Sequence, residues 1–464
     1  MQEDKKRLVF ILALIALYVG LVSFPTPDGL AYEGQKSLAL MIVGVAAMAL
    51  NVLPITVVAC LLVVLQPVIG IAALPDAVTR FAQPTLFFIV GGFISAVAFE
   101  TTGLSKRTAY NLAKMSKGNA EKLLFFFMMG AALLSTIFAD MVVVIMMMPV
   151  AMMLLKNSGC EPGKSNFGKA LMIGIPIGAL IGGMGTPAGA APNAVALSLL
   201  RETAGVDITF LTWTIVAMPI VLILTPIAYK IMSIAYKSEI KELQGMDQVD
   251  AKLAELGKMS IQEKKFLGTF AIVIAGWLTE SIHGFGIPII AVIGAALMFM
   301  PFNNVLTWQE AEQKVAWSSI FTIFAINSLG TTIWKTGGAD WIAGILTNAL
   351  DGYSSIMILV MVGLFTAFIH LLVPVNSALV SIIIPIVVVI ASSLGVNPAF
   401  LALPVAFIVS CSCLLPLDAV PLVGFWTGYY KMHEMFKPGI FITFVWVAVV
   451  LAVMLTLGRA LGLM

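Results

Sequence analysis

Long apolar stretches alternate with shorter polar ones along the whole chain. Most of them approach or reach the roughly 20 residues that an α-helix needs to cross a bilayer. Backbone polar groups find no water inside lipid, so these stretches are expected to be helical. We predict eleven membrane spans, near residues 8–24, 37–53, 55–74, 86–102, 168–184, 192–203 with 209–232, 266–284, 288–302, 317–334, 398–414 with 421–430, and 438–462. The pattern therefore predicts an all-α polytopic membrane protein.

Two other apolar segments, 121–156 and 354–392, are too long for one crossing. Each is interrupted near its middle by polar residues, which read Phe138-Ala139-Asp140 and Pro374-Val375-Asn376-Ser377. Each segment is predicted to be a re-entrant hairpin that enters and leaves the membrane on the same side. Broken helices inside a membrane are tolerated where they are buried in protein or line a cavity. The two tips are therefore candidate binding sites.

The positive charges favour one orientation of this topology. With the N-terminus in the cytoplasm, the Lys and Arg residues fall in cytoplasmic segments, with these exceptions: Lys36, Arg80, Arg201, Lys335 and Arg459. This asymmetry is what the positive-inside rule requires. We expect a plasma (inner) membrane protein with its C-terminus outside. The polar stretch 233–265 is then cytoplasmic, either as an amphipathic surface helix or as a solvated linker.

Composition supports the membrane assignment and excludes several functions. Of the 464 residues, 60% are hydrophobic and 11% are charged, and the mean hydropathy is +1.04. Such a surface needs lipid as its solvent. There is no basic tract for nucleic acid, no CxxC pair among the four cysteines and no nucleotide-binding motif. A convergent catalytic set is also missing, so we expect neither an enzyme nor an organic cofactor.

The two halves of the chain repeat. The segment STIFADMVVVIMMMPV (135–150) aligns with LLVPVNSALVSIIIPI (371–386) at an offset of 236, and TPAGAAPNAV (186–195) aligns with LPLDAVPLVG (415–424) at an offset of 229. In the predicted topology the first hairpin opens inward and the second outward, so the repeats are inverted. Inverted repeats with discontinuous helices are an architecture of secondary transporters, whose sites lie near the membrane midplane.

With eleven spans, two hairpins and a polar segment after the sixth span, nearly the whole chain resembles the divalent anion–sodium symporter (DASS) family. Members of this family carry dicarboxylates, citrate or sulfate. They have a Ser-Asn-Thr triplet at each hairpin tip and a G/A-[ST]-P-P-N-like turn in each partner span. The corresponding tips here are Ala139-Asp140-Met141 and Val375-Asn376-Ser377. The corresponding turns are Gly189-Ala190-Ala191-Pro192-Asn193 and Asp418-Ala419-Val420-Pro421-Leu422.

The resemblance implies a homodimer that works as an elevator. Residues 1–120 and 266–353 would form a scaffold, and residues 121–232 and 354–464 would form a transport domain that slides against it, with 233–265 as the cytoplasmic linker. The function implied is ion-coupled secondary transport of a small organic anion of the di- or tricarboxylate class. Sodium or a proton would be the coupling ion.

The resemblance also implies site residues. The first sodium site would use Ser135, Asp140 and the carbonyl of Gly189, and the second would use Pro374, Asn376 and the carbonyl of Asp418. The substrate would contact the tips and turns at Asp140, Met141, Asn376, Ser377, Ala190, Ala419 and Pro421. Hydroxyls that family members offer are missing at Met141, Ala190 and Ala419.

Two carboxylates stand at this predicted site, one in each half. An Asp within a membrane segment costs roughly 2.5–3.5 kcal/mol on insertion scales, so such residues mark ion paths by default. Asp140 could instead cap the returning arm of its hairpin, and capping is compatible with ion binding. His370 is either a hydrogen-bonded residue packed in the bundle or a protonatable counter-ion for substrate.

These carboxylates keep a second function open, a sodium-independent anion exchanger or a proton-coupled carrier of a less charged or other oxyanion solute. A channel is disfavoured because no continuous polar helix face accompanies the hairpins. Beyond the solute and the coupling ion, the expected partners are the lipid bilayer and a second copy of the chain.

Overall fold

The computed structural model describes residues 2–50, 52–349, 352–373 and 375–463. In these ranges the regular secondary structure is helical. The helices of the first half are α1 (Gln2–Ser23), α2 (Tyr32–Ala49), α3 (Ile55–Val68), α4 (Leu74–Phe81), α5 (Pro84–Thr101), α6 (Leu104–Met115), α7 (Ala120–Ser135), α8 (Asp140–Asn157), α9 (Asn166–Gly183), α10 (Ala191–Ala204) and α11 (Phe210–Ala235).

A linker helix and the second half follow. They comprise α12 (Met246–Leu256), α13 (Ile261–Leu278), α14 (Glu280–His283), α15 (Ile287–Phe299), α16 (Trp308–Lys314), α17 (Trp317–Lys335), α18 (Gly338–Ala349), α19 (Ser355–Ile369), α20 (Asn376–Ser393), α21 (Ala399–Ile408), α22 (Ala419–Phe425) and α23 (Met432–Val453), which continues into a π-helical turn, Met454–Gly458.

The order of elements repeats between the halves. Helices α2 to α11 have counterparts in the same order in α13 and α15 to α23. The two hairpins, α7–α8 and α19–α20, correspond in this scheme, as do the two broken spans, α9–α10 and α21–α22. The internal repeat found in two short sequence segments therefore extends over ten helices in each half.

Helix length and composition confirm the prediction of an all-α polytopic membrane protein. In the described part of the chain, 6 helical segments are long and apolar enough to cross a bilayer, or up to 7 if α16 and α17, bent by 62° at their break, count as one. Several other apolar helices are shorter than a full crossing. The number of eleven spans remains a prediction because some crossings would join two short helices.

One predicted span, 55–74, is shorter in the structure. Helix α3 ends at Val68, and Gly70 then adopts a left-handed φ of 73°. The Ile71 N–H donates a hydrogen bond to Gln66 O over 3.0 Å, which closes the last turn around this glycine. A separate helix, α4, begins at Leu74.

The linker contains one short helix and is hydrogen-bonded to the first hairpin. Of the stretch 233–265 only α12 is an independent helix, because α11 runs on to Ala235 and α13 begins at Ile261. Hydrogen bonds join the linker to both ends of the first hairpin. The Leu243 N–H donates to Gly118 O over 2.7 Å, and Asn157 Nδ2 donates to Gln248 Oε1 over 2.9 Å. The cytoplasmic location of this linker remains a prediction.

Close packing fixes the first hairpin against the first broken span. Helix α9 is almost entirely buried, and three of its glycines, Gly174, Gly178 and Gly182, face α7. A Cβ on Gly178 or Gly182 would collide with the carbonyl oxygens of Met128 and Ala132, respectively. Only glycine lets the two backbones approach this closely, as in other membrane helix pairs. The position of the first hairpin tip follows from this contact.

Candidate functional site

The first hairpin turns between the end of α7 at Ser135 and the start of α8 at Asp140. The Met141 N–H donates a hydrogen bond to Asp140 Oδ1 over 2.8 Å. The carboxylate thus satisfies one of the free amides at the start of α8. Its other oxygen, Oδ2, faces the broken span, since a Cβ on Gly183 would lie 3.4 Å from it. Asp140 therefore assists the helix start while one of its oxygens faces the site.

The first broken span leaves the helix at Gly183 and resumes at α10, and a buried amide holds the loop between them. Asn193 Nδ2 donates to Gly183 O over 2.7 Å and to Thr186 O over 2.8 Å. The Thr186 hydroxyl donates in turn to the carbonyl oxygen of Thr136 in the hairpin. These bonds satisfy carbonyl groups that a helix break leaves without intrahelical partners. They also join the turn to the hairpin tip.

Gly189 lies where the hairpin and the broken span meet. A Cβ at this position would be 2.5 Å from Gly183 O and 2.5 Å from Ser135 O. Both carbonyls belong to the last residues of helices, α9 and α7, whose negative dipole ends thus point to the same place. The absence of a side chain at Gly189 lets its backbone lie between them. This part of the site is a cradle lined by oxygen atoms.

Two residues that contribute other atoms to this junction, Ser135 and Asn193, also have a buried side-chain oxygen (Oγ and Oδ1, respectively) without a hydrogen-bond partner among the described residues. Both residues are 0% exposed. Buried polar atoms are normally paired, so each unpaired one needs an explanation. Helix C-termini and unwound carbonyls coordinate sodium in transporters with broken helices. The residues of the first half therefore fit a sodium ion.

The second hairpin turns after His370, which follows the end of α19, and α20 begins at Asn376. His370 is 5% exposed. Its Nε2 hydrogen-bonds with Asn376 Oδ1 and lies 2.8 Å from Ser412 Oγ. His370 is thus a hydrogen-bonded bundle residue, as one interpretation predicted, but its partner is itself a candidate site residue. Pro374, a predicted sodium ligand, lies outside the described residues.

The second broken span leaves α21 at Ile408 and resumes at Ala419. Asp418 directly precedes α22, and Asn376 Nδ2 donates to Asp418 Oδ2 over 3.3 Å. The second tip and its turn are therefore joined through side chains. In the first half the corresponding junction runs through a threonine hydroxyl and backbone carbonyls.

The two halves meet at their breaks. The returning arm of the first hairpin, α8, packs against α22, and the returning arm of the second, α20, packs against α10. The structure thus brings both predicted tips and both predicted turns to one region.

The predicted substrate contacts differ in exposure. Met141 is 38% exposed, and Ala419 is exposed as well. Asp140, Asn376 and Asp418 are half-buried. The remaining predicted contacts are buried and back the site, namely Ser377, Ala190 and Pro421.

The sequence analysis gave no role to three residues of this region, although Asn193 belongs to the turn motif quoted there. Thr186 and Asn193 hold the first turn, and Ser412 contacts His370. Asn193 and Thr186 lie inside the repeated segment, so the repeat was the available signal. Ser412, like Ser410, interrupts an apolar run, and polar residues within apolar runs also marked the hairpin tips.

Two repeated helical halves, each with a hairpin facing a broken span, define a secondary transporter. Residues 5–464 match the family described as the sodium:sulfate symporter transmembrane region, and the chain belongs to this family. This confirms the resemblance that rested on the spans, hairpins and linker, and it identifies a multi-pass membrane transport protein.

Among similar proteins, the chain is 26% identical over 474 residues to the sodium-dependent dicarboxylate transporter SdcS of Staphylococcus saprophyticus, covering 96% of this chain and 89% of that protein. An uncharacterised transporter of Haemophilus influenzae is 26% identical over 462 residues, covering 97% and 96%.

Two solved structures share the fold. The Alcanivorax borkumensis YdaH transporter has a TM-score of 0.55 at 14% identity, with 100% of both chains covered. MtrF of Neisseria gonorrhoeae, from a class of antimetabolite efflux pumps, has a TM-score of 0.56 at 12% identity, with 97% of this chain and 94% of that chain covered.

Proposed function

We propose that this protein is a sodium-coupled secondary transporter of a small organic anion of the di- or tricarboxylate class. The observation that carries the proposal is the convergence of two hairpin tips and two helix breaks, with unpaired buried oxygens on Ser135 and Asn193 of the first tip and turn. The SdcS relatives, which are named as sodium-dependent dicarboxylate transporters, support both the ion and the substrate class.

Helix ends support an anionic substrate. Helices α8, α10 and α20 all begin in this region, at Asp140, Ala191 and Asn376. The N-terminus of a helix carries free N–H groups and a partial positive charge, which favour bound anions. Asn376 adds a side chain that can donate hydrogen bonds. Carboxylate groups of a substrate would therefore find donors from both halves of the chain.

Asp140 and Asp418 oppose a bound dianion unless a cation neutralises them. A sodium ion in the cradle formed by Ser135, Asp140 and Gly189 would cancel the negative charge of Asp140. It would thereby lower the electrostatic cost of a substrate carboxylate nearby. Binding of sodium and binding of anion would then be linked, as coupled transport requires.

We further propose that the site moves by an elevator mechanism. The scaffold would be residues 1–120 and 266–353, and the moving domain residues 121–232 and 354–464. Support comes from the contact between α17 and α20, where a Cβ on Gly330 would lie 2.9 Å from the backbone of Ser381. This contact would be the place where the moving domain slides against the scaffold. The predicted inner-membrane location, cytoplasmic N-terminus and homodimer belong to the same proposal.

A second candidate is a sodium-independent exchanger or a proton-coupled carrier of a less charged or other oxyanion solute. The observation that favours it is the pair of acidic residues at the predicted site, Asp140 and Asp418. Met141 and Ala419 also stand where family members have hydroxyl donors. An anion with less charge would experience less repulsion there.

The experiment that tests the proposal is uptake of a panel of labelled acids into proteoliposomes, with sodium and proton gradients imposed separately. The proposal expects accumulation of an organic acid driven by an inward sodium gradient. Uptake that needs only a proton gradient, or only internal counter-substrate, would select the second candidate.

A further inference from the structure

The internal repeat gives the protein two equivalent tip-and-turn pairs, and the two differ in the oxygens that they leave available. Position 189 in the first turn corresponds to position 418 in the second, at the repeat offset of 229. In the first half this position is a glycine between two converging carbonyl oxygens. In the second half it carries an aspartate side chain. A carbonyl cradle of the first kind has no room for a side chain, so the two turns have different shapes.

The orientation of the Asn376 amide shows how the second position is filled. Its Nδ2 faces Asp418 Oδ2, which as a carboxylate oxygen can only accept. Its Oδ1 therefore faces His370 Nε2, and since Oδ1 is an acceptor, Nε2 must carry the hydrogen. An N–H group directed at this oxygen occupies the place from which a cation would approach.

Ser412 is a further difference between the turns of the two halves. It corresponds to Gly183 of the first half at the same offset, and its Oγ lies 2.8 Å from His370 Nε2. In the first half the equivalent position has no side chain and leaves Asp140 Oδ2 free to face the cradle. In the second half His370, Asn376 and Asp418 are thus hydrogen-bonded in series, with Ser412 beside His370, and Ser410 Oγ is the unpaired buried oxygen of that break. In the first half Ser135 Oγ and Asn193 Oδ1 lack partners among the described residues.

From this asymmetry we propose that each chain binds a single sodium ion, in the first half, at Ser135, Asp140 and the carbonyls beside Gly189. The network of His370, Asn376, Ser412 and Asp418 takes the equivalent position in the second half and excludes a second ion. The inference rests on the proposed sodium coupling and specifies its stoichiometry. One sodium ion would then be transported with each substrate molecule, whereas a protein with two equivalent sites would transport two sodium ions.

The test is equilibrium binding of radioactive sodium to the purified protein in lipid nanodiscs, counted per chain. One sodium ion per chain and a Hill coefficient near 1 are expected. Gly189→Ala should weaken sodium binding by about tenfold or more, because its Cβ would displace the converging carbonyls. His370→Ala should not reduce the binding, and neither should Ser410→Ala, which removes the unpaired buried hydroxyl of the second half.

Two sodium ions per chain would overturn the inference, as would a loss of sodium affinity in Ser410→Ala or His370→Ala equal to that in Gly189→Ala. Sodium-driven uptake would separate this failure from failure of the proposed function. Two bound ions with sodium-driven uptake would contradict the stoichiometry alone. No bound sodium and no sodium-driven uptake would contradict both.

Discussion

Asn376 Nδ2 donates a hydrogen bond to Asp418 Oδ2 over 3.3 Å and thereby joins the second hairpin tip to the second broken span. These residues are far apart along the chain and meet only because α20 and α22 begin side by side. The first half makes the equivalent junction differently, through Thr186 and the carbonyl oxygen of Thr136. The same backbone arrangement therefore supports two chemically different junctions.

Asp140→Asn should weaken sodium binding by about tenfold or more, since contacts with a charged partner contribute about 1.5–3 kcal/mol. Asparagine keeps the shape and an oxygen that can accept from the Met141 N–H. The fold should therefore persist while the negative charge beside the cradle is lost. Sodium titration of the protein in nanodiscs, followed by thermal stability, measures the effect.

A carboxylate outside the site provides the control for this change. Asp250 forms an exposed ion pair with Lys114, and such pairs contribute about 0–1 kcal/mol. Asp250→Asn should leave the sodium response unchanged. If Asp140→Asn also left it unchanged, Asp140 would serve only the start of α8.

Met141→Thr should tighten the binding of dicarboxylates. Met141 is 38% exposed at the first tip and offers no hydrogen-bond donor. A hydroxyl there could donate to a carboxylate oxygen, which is worth about 1.5–3 kcal/mol, or roughly tenfold or more in affinity. The matched control is Met141→Val, which has the shape of threonine without its hydroxyl. Isothermal titration with succinate at fixed sodium would compare them, and equal affinities would show that the substrate does not reach this residue.

The same reasoning predicts that succinate-like acids bind more weakly here than to members of the family with hydroxyls at both tips and turns. Sodium should increase the affinity by neutralising Asp140. Titration of the protein with succinate, with and without sodium, tests this point. Tight binding of succinate that does not depend on sodium would contradict the roles given to both aspartates.

Gly182→Ala should destabilise the protein, because its Cβ would collide with Ala132 O between α9 and α7. Overpacking of a tight contact typically costs about 1–3 kcal/mol. Gly92→Ala is the control, since a Cβ at Gly92 meets nothing within 4 Å. That change should be neutral or slightly stabilising, because alanine favours helix more than glycine does. Thermal unfolding in detergent would rank the two, and equal melting temperatures would refute the close contact.

Asn193→Leu should loosen the first turn. It removes the donor to Gly183 O and Thr186 O, and leucine is the residue at the equivalent position of the second half, Leu422. Leaving buried carbonyls without a partner costs about 1–3 kcal/mol. Ser198→Ala, on the same helix, should have little effect because Ser198 is only partly buried. Both stability and sodium affinity should fall in Asn193→Leu, and unchanged sodium affinity would mean that the turn does not shape the cradle.

The sequence predicted the hairpins and breaks well because their signals are local. A polar group such as Asp140 or Asn376 inside an apolar run is visible without knowing the fold. The repeat offsets then paired each tip with its turn, and the structure brings these four segments together. The hydropathy pattern also predicted the ends of α9 and α17 to within two residues of the observed ends.

The parts that the sequence could not predict depend on contacts between distant residues. The surface helices α6 and α18 are short, and each begins after a glycine with left-handed φ, Gly103 or Gly337. Neither has the length or hydropathy of a span. The bond between His370 and Asn376 likewise depends on how the hairpin folds back. The difference between the two halves at positions 189 and 418, a glycine between two carbonyl oxygens in one and a hydrogen-bonded aspartate in the other, appears only in three dimensions.

The most direct test of the proposed site is an electron cryo-microscopy map of the protein in nanodiscs with sodium and a saturating concentration of the best-transported acid. The account predicts substrate density between the tips at Asp140 and Asn376 and the starts of α10 and α22, with an ion peak among Ser135, Asp140 and Gly189. Substrate density outside this convergence, or on the lipid-facing surface, would contradict it.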